Sequence, residues 1–288
     1  MPDIWGTAAL LVKLMLYAGA TGATGLVLIR TAFPRLVDPL RGRINAQTAV
    51  LASLALTAAV LSFALRGAAL TGSADGMTDP EMLGLLWQTA AGNTLLYRAA
   101  GALLLLAGLL FSKTRPWISL AGGLLLLWSF SQIGHIPATG QLSLRILLLA
   151  HLVGIAFWIG VLGPLRDLSR KSEHLEHAAL LGHRFGQAAM IIVPGLLFAG
   201  LLMAWQLLGH PRLLLTTGYG QALSLKLVLI SAVLILAALN KLRFVPALRD
   251  GQARAGRHLA RSIEIEALIL LAVLAATATL TSILTLPN

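Results

Sequence analysis

The chain has 288 residues, of which 57% are apolar and only 11% charged, and it contains no cysteine. Soluble domains carry about 25% charged residues, so a single water-soluble globule is excluded, as is a disordered chain. Without cysteine, disulfides, thiolate metal sites and thiol redox chemistry are excluded too. The net charge of +11 invites a nucleic-acid reading, but in a membrane protein such a surplus records basic cytoplasmic loops. Nucleic acid is therefore not an expected partner.

A membrane-crossing helix needs about 20 mainly apolar residues. Eight stretches qualify, at roughly 8–29, 46–66, 93–112, 116–135, 144–165, 185–208, 220–240 and 263–285. The expected fold is an all-α integral membrane protein of eight transmembrane helices, with no room for a sizeable soluble domain. The first stretch lacks a basic start and holds Lys13 inside it, so it is read as a span and not as a cleaved signal peptide. Arg98 interrupts the third span. Pro116 opens the fourth, where its missing N–H costs nothing. No G-x-x-x-x-G-K-[ST] stretch is present, which argues against an ATP-driven pump.

Orientation follows from the loops. Those after spans one, three, five and seven hold 16 of the 22 lysines and arginines. By the positive-inside rule these loops are cytoplasmic. Both termini are then expected in the periplasm of a bacterial inner (plasma) membrane, in agreement with an even number of spans.

There is an internal echo. Thr89 to Arg98 and Thr217 to Lys226 share the pattern T-x-x-G-x-x-L-x-x-[RK], each leading into a long apolar helix. Both copies enter from the same side, so the expected repeat is parallel, four helices plus four. The corresponding halves are residues 1–140 and 141–288.

Ionisable groups inside a bilayer are expensive and are functional candidates by default. His151 is expected about 10 Å below the outer end of span five, at a rise of about 1.5 Å per residue. His135 and His210 end spans four and six on the same side. Met203 lies seven residues before His210, on one helical face with it. A His/Met cluster without cysteine suits copper, because imidazole binds either oxidation state and thioether prefers Cu(I). The plainer alternative makes His135 and His210 interfacial, His151 a satisfied core residue and Met203 core filler.

Arg98 and Lys226 occupy the same position of the echo. They either snorkel to the outer headgroups or hold an anion such as a haem propionate or a substrate carboxylate. Asp75, Asp79 and Glu81 in the outer loop are the carboxylates that could fold back on them. Glu264 and Glu266 are read as opening span eight, where carboxylates favour the helix dipole. Asn240 is read as capping the end of span seven. His174 and His177 have a metal-compatible spacing but read more simply as a solvated helix face. Trp158, seven residues after His151, shares its face and is expected inside the bundle. Glycines 19, 22, 25, 154 and 160 permit close helix contact. No Ser–His–Asp set or H-E-x-x-H motif is apparent, which disfavours hydrolysis.

Several of these pieces together resemble a known family. They are Gly134-His135, His151 through Trp158-Ile-Gly160, Arg184-Phe185-Gly186, Thr217 through Lys226, Asn240-Lys-Leu-Arg243 and Ser262-Ile-Glu264-Ile-Glu266. In this order, over about residues 130–285, they resemble the copper resistance D domain (CopD) of bacterial inner-membrane proteins. The first half is similar only in span count and in the Thr89 to Arg98 element. The resemblance implies inward movement of copper alongside a small periplasmic copper-binding partner, CopC, and it points to His135, His151, Trp158, Lys226, Asn240 and Glu264. His210 and Met203 are added on geometry alone.

Three functions are carried forward. The first is copper transport from a His-based site in the outer third of the membrane. It faces the objection that few ligands lie deeper. The second is a b-type haem redox protein that passes electrons to periplasmic copper, with Arg98 and Lys226 near the propionates. The third is a membrane scaffold that docks a periplasmic copper carrier. Homo-oligomerisation is left open.

Overall fold

The structure is a computed structural model that describes residues 4–111, 116–134, 140–210 and 212–282. The described residues form helices and turns, with no strand among them. Among the described residues, seven helices are long and apolar enough to cross a membrane. They are α1 (Ile4–Ala32), α2 (Arg41–Thr71), α4 (Ala90–Leu110), α6 (Leu142–Ser169), α7 (Leu175–Leu208), α9 (Gly218–Leu239, prolonged to Arg249) and α11 (Ala253–Ser282). The short helices α3 (Pro80–Trp87) and α8 (Leu213–Thr216) precede α4 and α9, and α10 (Val245–Arg249) continues α9.

The fourth predicted span is shorter than expected. It is the helix α5 (Pro116–Trp128) followed by a 3-10 turn at Ser129–Ser131. At about 1.5 Å per residue, plus one tighter turn, that is roughly 25 Å against the roughly 30 Å of a hydrocarbon core. Its other job is packing. A Cβ on Gly101 of α4 would lie 2.6 Å from the Leu126 nitrogen, and one on Gly122 would lie 2.5 Å from the Leu105 nitrogen. Only glycine lets these two backbones meet.

α1 is the central element, apolar on all sides and buried along most of its length. A helix of that pattern belongs inside a bundle. It packs against α2 through Gly19, where a Cβ would meet Leu51 and Ala55 backbone atoms at 2.8 Å. Against α6 the contact is glycine on glycine. A Cβ on Gly25 would sit 2.0 Å from the Ala156 carbonyl oxygen, and one on Gly160 would sit 2.2 Å from the Gly25 carbonyl carbon. Membrane helices associate through such small-residue surfaces because lipid removes the hydrophobic drive between them.

α7 and α9 form the flank of the bundle. Ile191, Phe198, Leu201 and Val228 are among their large apolar side chains that face outward, as a lipid solvent requires. At one end of the bundle the start of α1 meets the finish of α11: the Lys13 ammonium donates to the Thr281 carbonyl over 2.8 Å, and Tyr17 pairs with the Thr281 hydroxyl over 3.1 Å. At the other end, Arg43 pairs with Asp167 at 2.9 Å and Arg166 with Glu264 at 2.7 Å. These ion pairs tie the start of α2 to the end of α6, and the end of α6 to α11.

The two copies of the sequence echo adopt one local structure. Thr89 donates to the Leu86 carbonyl (2.7 Å) and accepts from the Ala91 N–H (3.1 Å). Thr217 donates to the Leu213 carbonyl (2.7 Å) and accepts from the Gly220 N–H (3.0 Å). Each threonine therefore closes a short helix and caps a long one. The glycine that follows is pressed against the short helix in both. A Cβ on Gly92 would be 2.1 Å from the Trp87 oxygen, and one on Gly220 would be 2.0 Å from the Leu213 oxygen.

Candidate functional site

α6 carries His151 and Trp158 on one face, seven residues apart and thus about 10 Å apart along the axis. The two residues define two polar stations in the interior of the bundle.

The first station is His151. Its Nδ1 is buried with no hydrogen-bond partner. Gly200 of α7 leaves room for the ring, since a Cβ there would be 3.6 Å from His151 Cε1. Lys226, nine residues into α9, is within electrostatic reach of His151 and makes no ion pair among the described residues.

The second station surrounds Glu266 of α11, which is 2% exposed. The Trp158 indole nitrogen donates to Glu266 Oε1 over 2.5 Å, and the Asn240 amide donates to Oε2 over 3.0 Å. Asn240 Oδ1 is buried and unpartnered. Buried polar groups in apolar surroundings are costly unless bonded, so a carboxylate held by two neutral donors beside a bare amide oxygen is an unsaturated site.

Asn240 reaches Glu266 because the helix widens there. Residues Asn240–Phe244 form a π turn, closed by the Val245 N–H on the Asn240 carbonyl. Pro246 supplies the cause. It lacks an N–H, and its ring would clash with the carbonyl four residues back in a regular helix. π turns occur mostly as single bulges inside α-helices, frequently at functional sites.

The expected site residues distribute as follows. Trp158 is buried, as anticipated. Asn240 is not a cap, because the helix continues through it to Arg249. Glu264 and Glu266 do not open their helix: α11 begins at Ala253, and no acidic residue falls in its first turn. Glu264 pairs with Arg166 and Arg170 at the surface, so the glutamate that meets Trp158 and Asn240 is Glu266. Met203 is buried among Leu144, Ala199 and Leu148. His210 is exposed, and its Nδ1 accepts from the Arg212 N–H at 3.1 Å, closing the turn after α7. His135 lies outside the described residues. Arg98 stacks over the Phe130 ring at 5.5 Å and so has different neighbours from Lys226. Asp79 does not fold back on Arg98 but caps α3 by accepting from the Glu81 N–H. The His174 and His177 rings meet edge-on at 6.1 Å. No group of three or more His, Asp or Glu able to hold a metal occurs among the described residues.

Residues 178–280 match the family described as copper resistance protein D, and residues 1–144 match the copper resistance protein D-like N-terminal domain. The chain belongs to the copper resistance protein D family. The likeness therefore extends through the first half, which by motif resembled the family only loosely. Asn240 and Glu266 lie within the first of these matched ranges, 178–280, whereas His151 and Trp158 of α6 lie between the two matches. One curated relative is the inner membrane protein YebZ of Escherichia coli (strain K12), 33% identical over 109 residues, which are 36% of this chain and 37% of that protein. The matched region thus spans little more than a third of that relative. No solved structure matches significantly.

Proposed function

We propose that this multi-pass inner-membrane protein moves copper across the bilayer, in the inward direction the family resemblance implies. The observation that carries the reading is the pair of incompletely bonded stations on one face of α6, the free Nδ1 of His151 and the Glu266–Asn240 oxygens one step deeper. A path with few ligands below His151 was the main objection to transport, and Glu266 answers it. Imidazole nitrogen followed by carboxylate and amide oxygen is a borderline-to-hard donor set, which suits Cu(II) better than Cu(I). Met203, enclosed by leucines, is a secondary ligand at most.

The proposed topology has eight passes, with α5 as the short one and both termini periplasmic. The Lys13–Thr281 contact brings the start of α1 and the end of α11 to one end of the bundle, which an even number of passes requires. The basic loops then face the cytoplasm. Two parallel four-helix halves, 1–140 and 141–288, follow from the shared Thr–Gly start of α4 and α9. Copper is delivered to the periplasmic face by a CopC-like protein, and His210, in the turn after α7, lies at that face.

A second reading has one specific observation in its favour. Lys226 beside His151 suits an anionic group better than a bare metal cation, and a haem bound through His151 would place a propionate there. The same experiment separates the two. The detergent-purified protein is analysed for metal, and its visible spectrum is taken oxidised and dithionite-reduced. Wild-type protein and His151→Ala are then assayed for copper uptake in sealed vesicles. Transport predicts bound copper, no Soret band and uptake lost in the variant. A Soret band with sharp reduced α/β bands, lost in His151→Ala, overturns transport in favour of redox.

A further inference from the structure

A second polar cluster, away from His151 and Glu266, lies where α1, α2, α4 and α11 converge. It contains three cations: Lys13 of α1, Arg66 of α2 and Arg98 of α4. Arg66 and Arg98 each act electrostatically on Lys13, and Arg66 acts on Arg98. Lys13 is anchored on the Thr281 carbonyl (2.8 Å) and the Ser282 hydroxyl (3.0 Å). Tyr17 bonds Thr281, and its ring lies 5.0 Å from Phe130. Arg98 lies over the other neighbour of that ring system, Phe130, and its Nε is buried with no hydrogen-bond partner. Arg66 makes no hydrogen bond or ion pair with any described residue, and its side chain is exposed.

Among the described residues, no carboxylate pairs with any of the three. Asp79, on the neighbouring loop, is spent on the start of α3. Three like charges gathered at the edge of a low-dielectric region repel strongly unless a counter-charge is present. Arginine forks with free N–H groups and a lysine held in place match the oxygen-rich, multiply charged face of a phosphate.

We infer that Lys13, Arg66 and Arg98 form a binding site for a phosphate-bearing anion, separate from the copper stations. The anion is either the headgroup of an acidic phospholipid or a free phosphate.

The test uses the full chain purified in a neutral detergent. One arm titrates inorganic phosphate at constant ionic strength. The other adds phosphatidylglycerol or, as control, phosphatidylcholine in mixed micelles. Melting temperature and lipid retained in native mass spectra are read in both arms. Wild type and the outlying Arg212→Gln should be stabilised by several degrees. Arg66→Gln and Arg98→Gln should weaken the apparent affinity roughly tenfold, the worth of one charge-assisted hydrogen bond. Arg66 is exposed, so its variant folds even if Arg98→Gln does not. Stabilisation by phosphate identifies a free anion, and stabilisation by phosphatidylglycerol alone identifies a lipid. No shift with either probe, or an unchanged shift in Arg66→Gln, overturns the site.

Discussion

Trp158 and Glu266, 108 positions apart in sequence, meet through a 2.5 Å hydrogen bond in the interior of the bundle. The bond ties α6 to α11 at a carboxylate that is almost wholly withdrawn from solvent. Glu266→Gln keeps the shape and the Trp158 bond while removing the charge. We expect it to fold with a melting temperature near wild type but to lose copper uptake in vesicles. Glu266→Ala leaves the Trp158 and Asn240 donors unpaired, at about 1–3 kcal/mol, so it should lose stability as well. Thermal melts beside uptake assays separate the two effects.

The glycine contact between α1 and α6 gives a prediction about packing alone. Gly25→Ala puts a methyl 2.0 Å from the Ala156 carbonyl oxygen, so the helices must part. Overpacking of this kind costs about 1–3 kcal/mol or more. Gly42→Ala, with nothing within 4 Å of the new methyl, should instead gain up to about 1 kcal/mol from helix propensity. Denaturant or thermal unfolding of the two variants in one detergent checks the opposite signs.

At the basic end of the bundle, Asp167 and Glu264 should differ in weight. Asp167 is 6% exposed and accepts from both Arg43 and Arg166, whereas Glu264 is 35% exposed. Asp167→Asn should cost about 2 kcal/mol or more, since it strips the buried partner from two arginines. Glu264→Gln should cost below about 1 kcal/mol, as solvated pairs do. Unfolding midpoints measured at low and at high salt test the ranking, and only Glu264→Gln should converge on wild type as salt rises.

Thr89→Ala and Thr217→Ala remove equivalent caps. Each should cost about 1 kcal/mol, and the double variant should cost the sum, because the sites lie on different helices. A marked departure from additivity in melting experiments would contradict two independent helix starts.

Much of this fold was legible because the bilayer imposes a crude rule on composition. Apolar stretches predicted the long helices, and the predicted starts of α6 and α9 fall within two residues of those observed. α7 and α11 begin about ten residues earlier than predicted. Their first turns are rich in charge, His174 to Arg184 and Arg254 to Arg261, and a hydropathy reading cuts them off as loop. That error misplaced Glu266. Taken as a helix-opening residue it looked structural, whereas about three and a half turns into α11 it faces Trp158. The π turn at Asn240 left only Pro246 as a signal, because a one-residue widening changes no composition. His151 was legible as an ionisable residue inside a span, and Trp158 by its seven-residue spacing from it, but their bonding state, with Nδ1 free and the indole engaged, depends on elements remote in sequence.

The widened turn at Asn240–Phe244 amounts to one surplus residue wound into an otherwise regular rod. Deleting Leu242 would let the rod close into an ordinary spiral, and because the bulge is what absorbs the extra residue, the segments on either side would keep nearly their present phase. Val245 would keep its seat close to Gly182 of α7, and the widened turn at Asn240 would be gone. The bundle thus holds a buried polar contact beside a local irregularity in helical winding that can be removed without turning its neighbours.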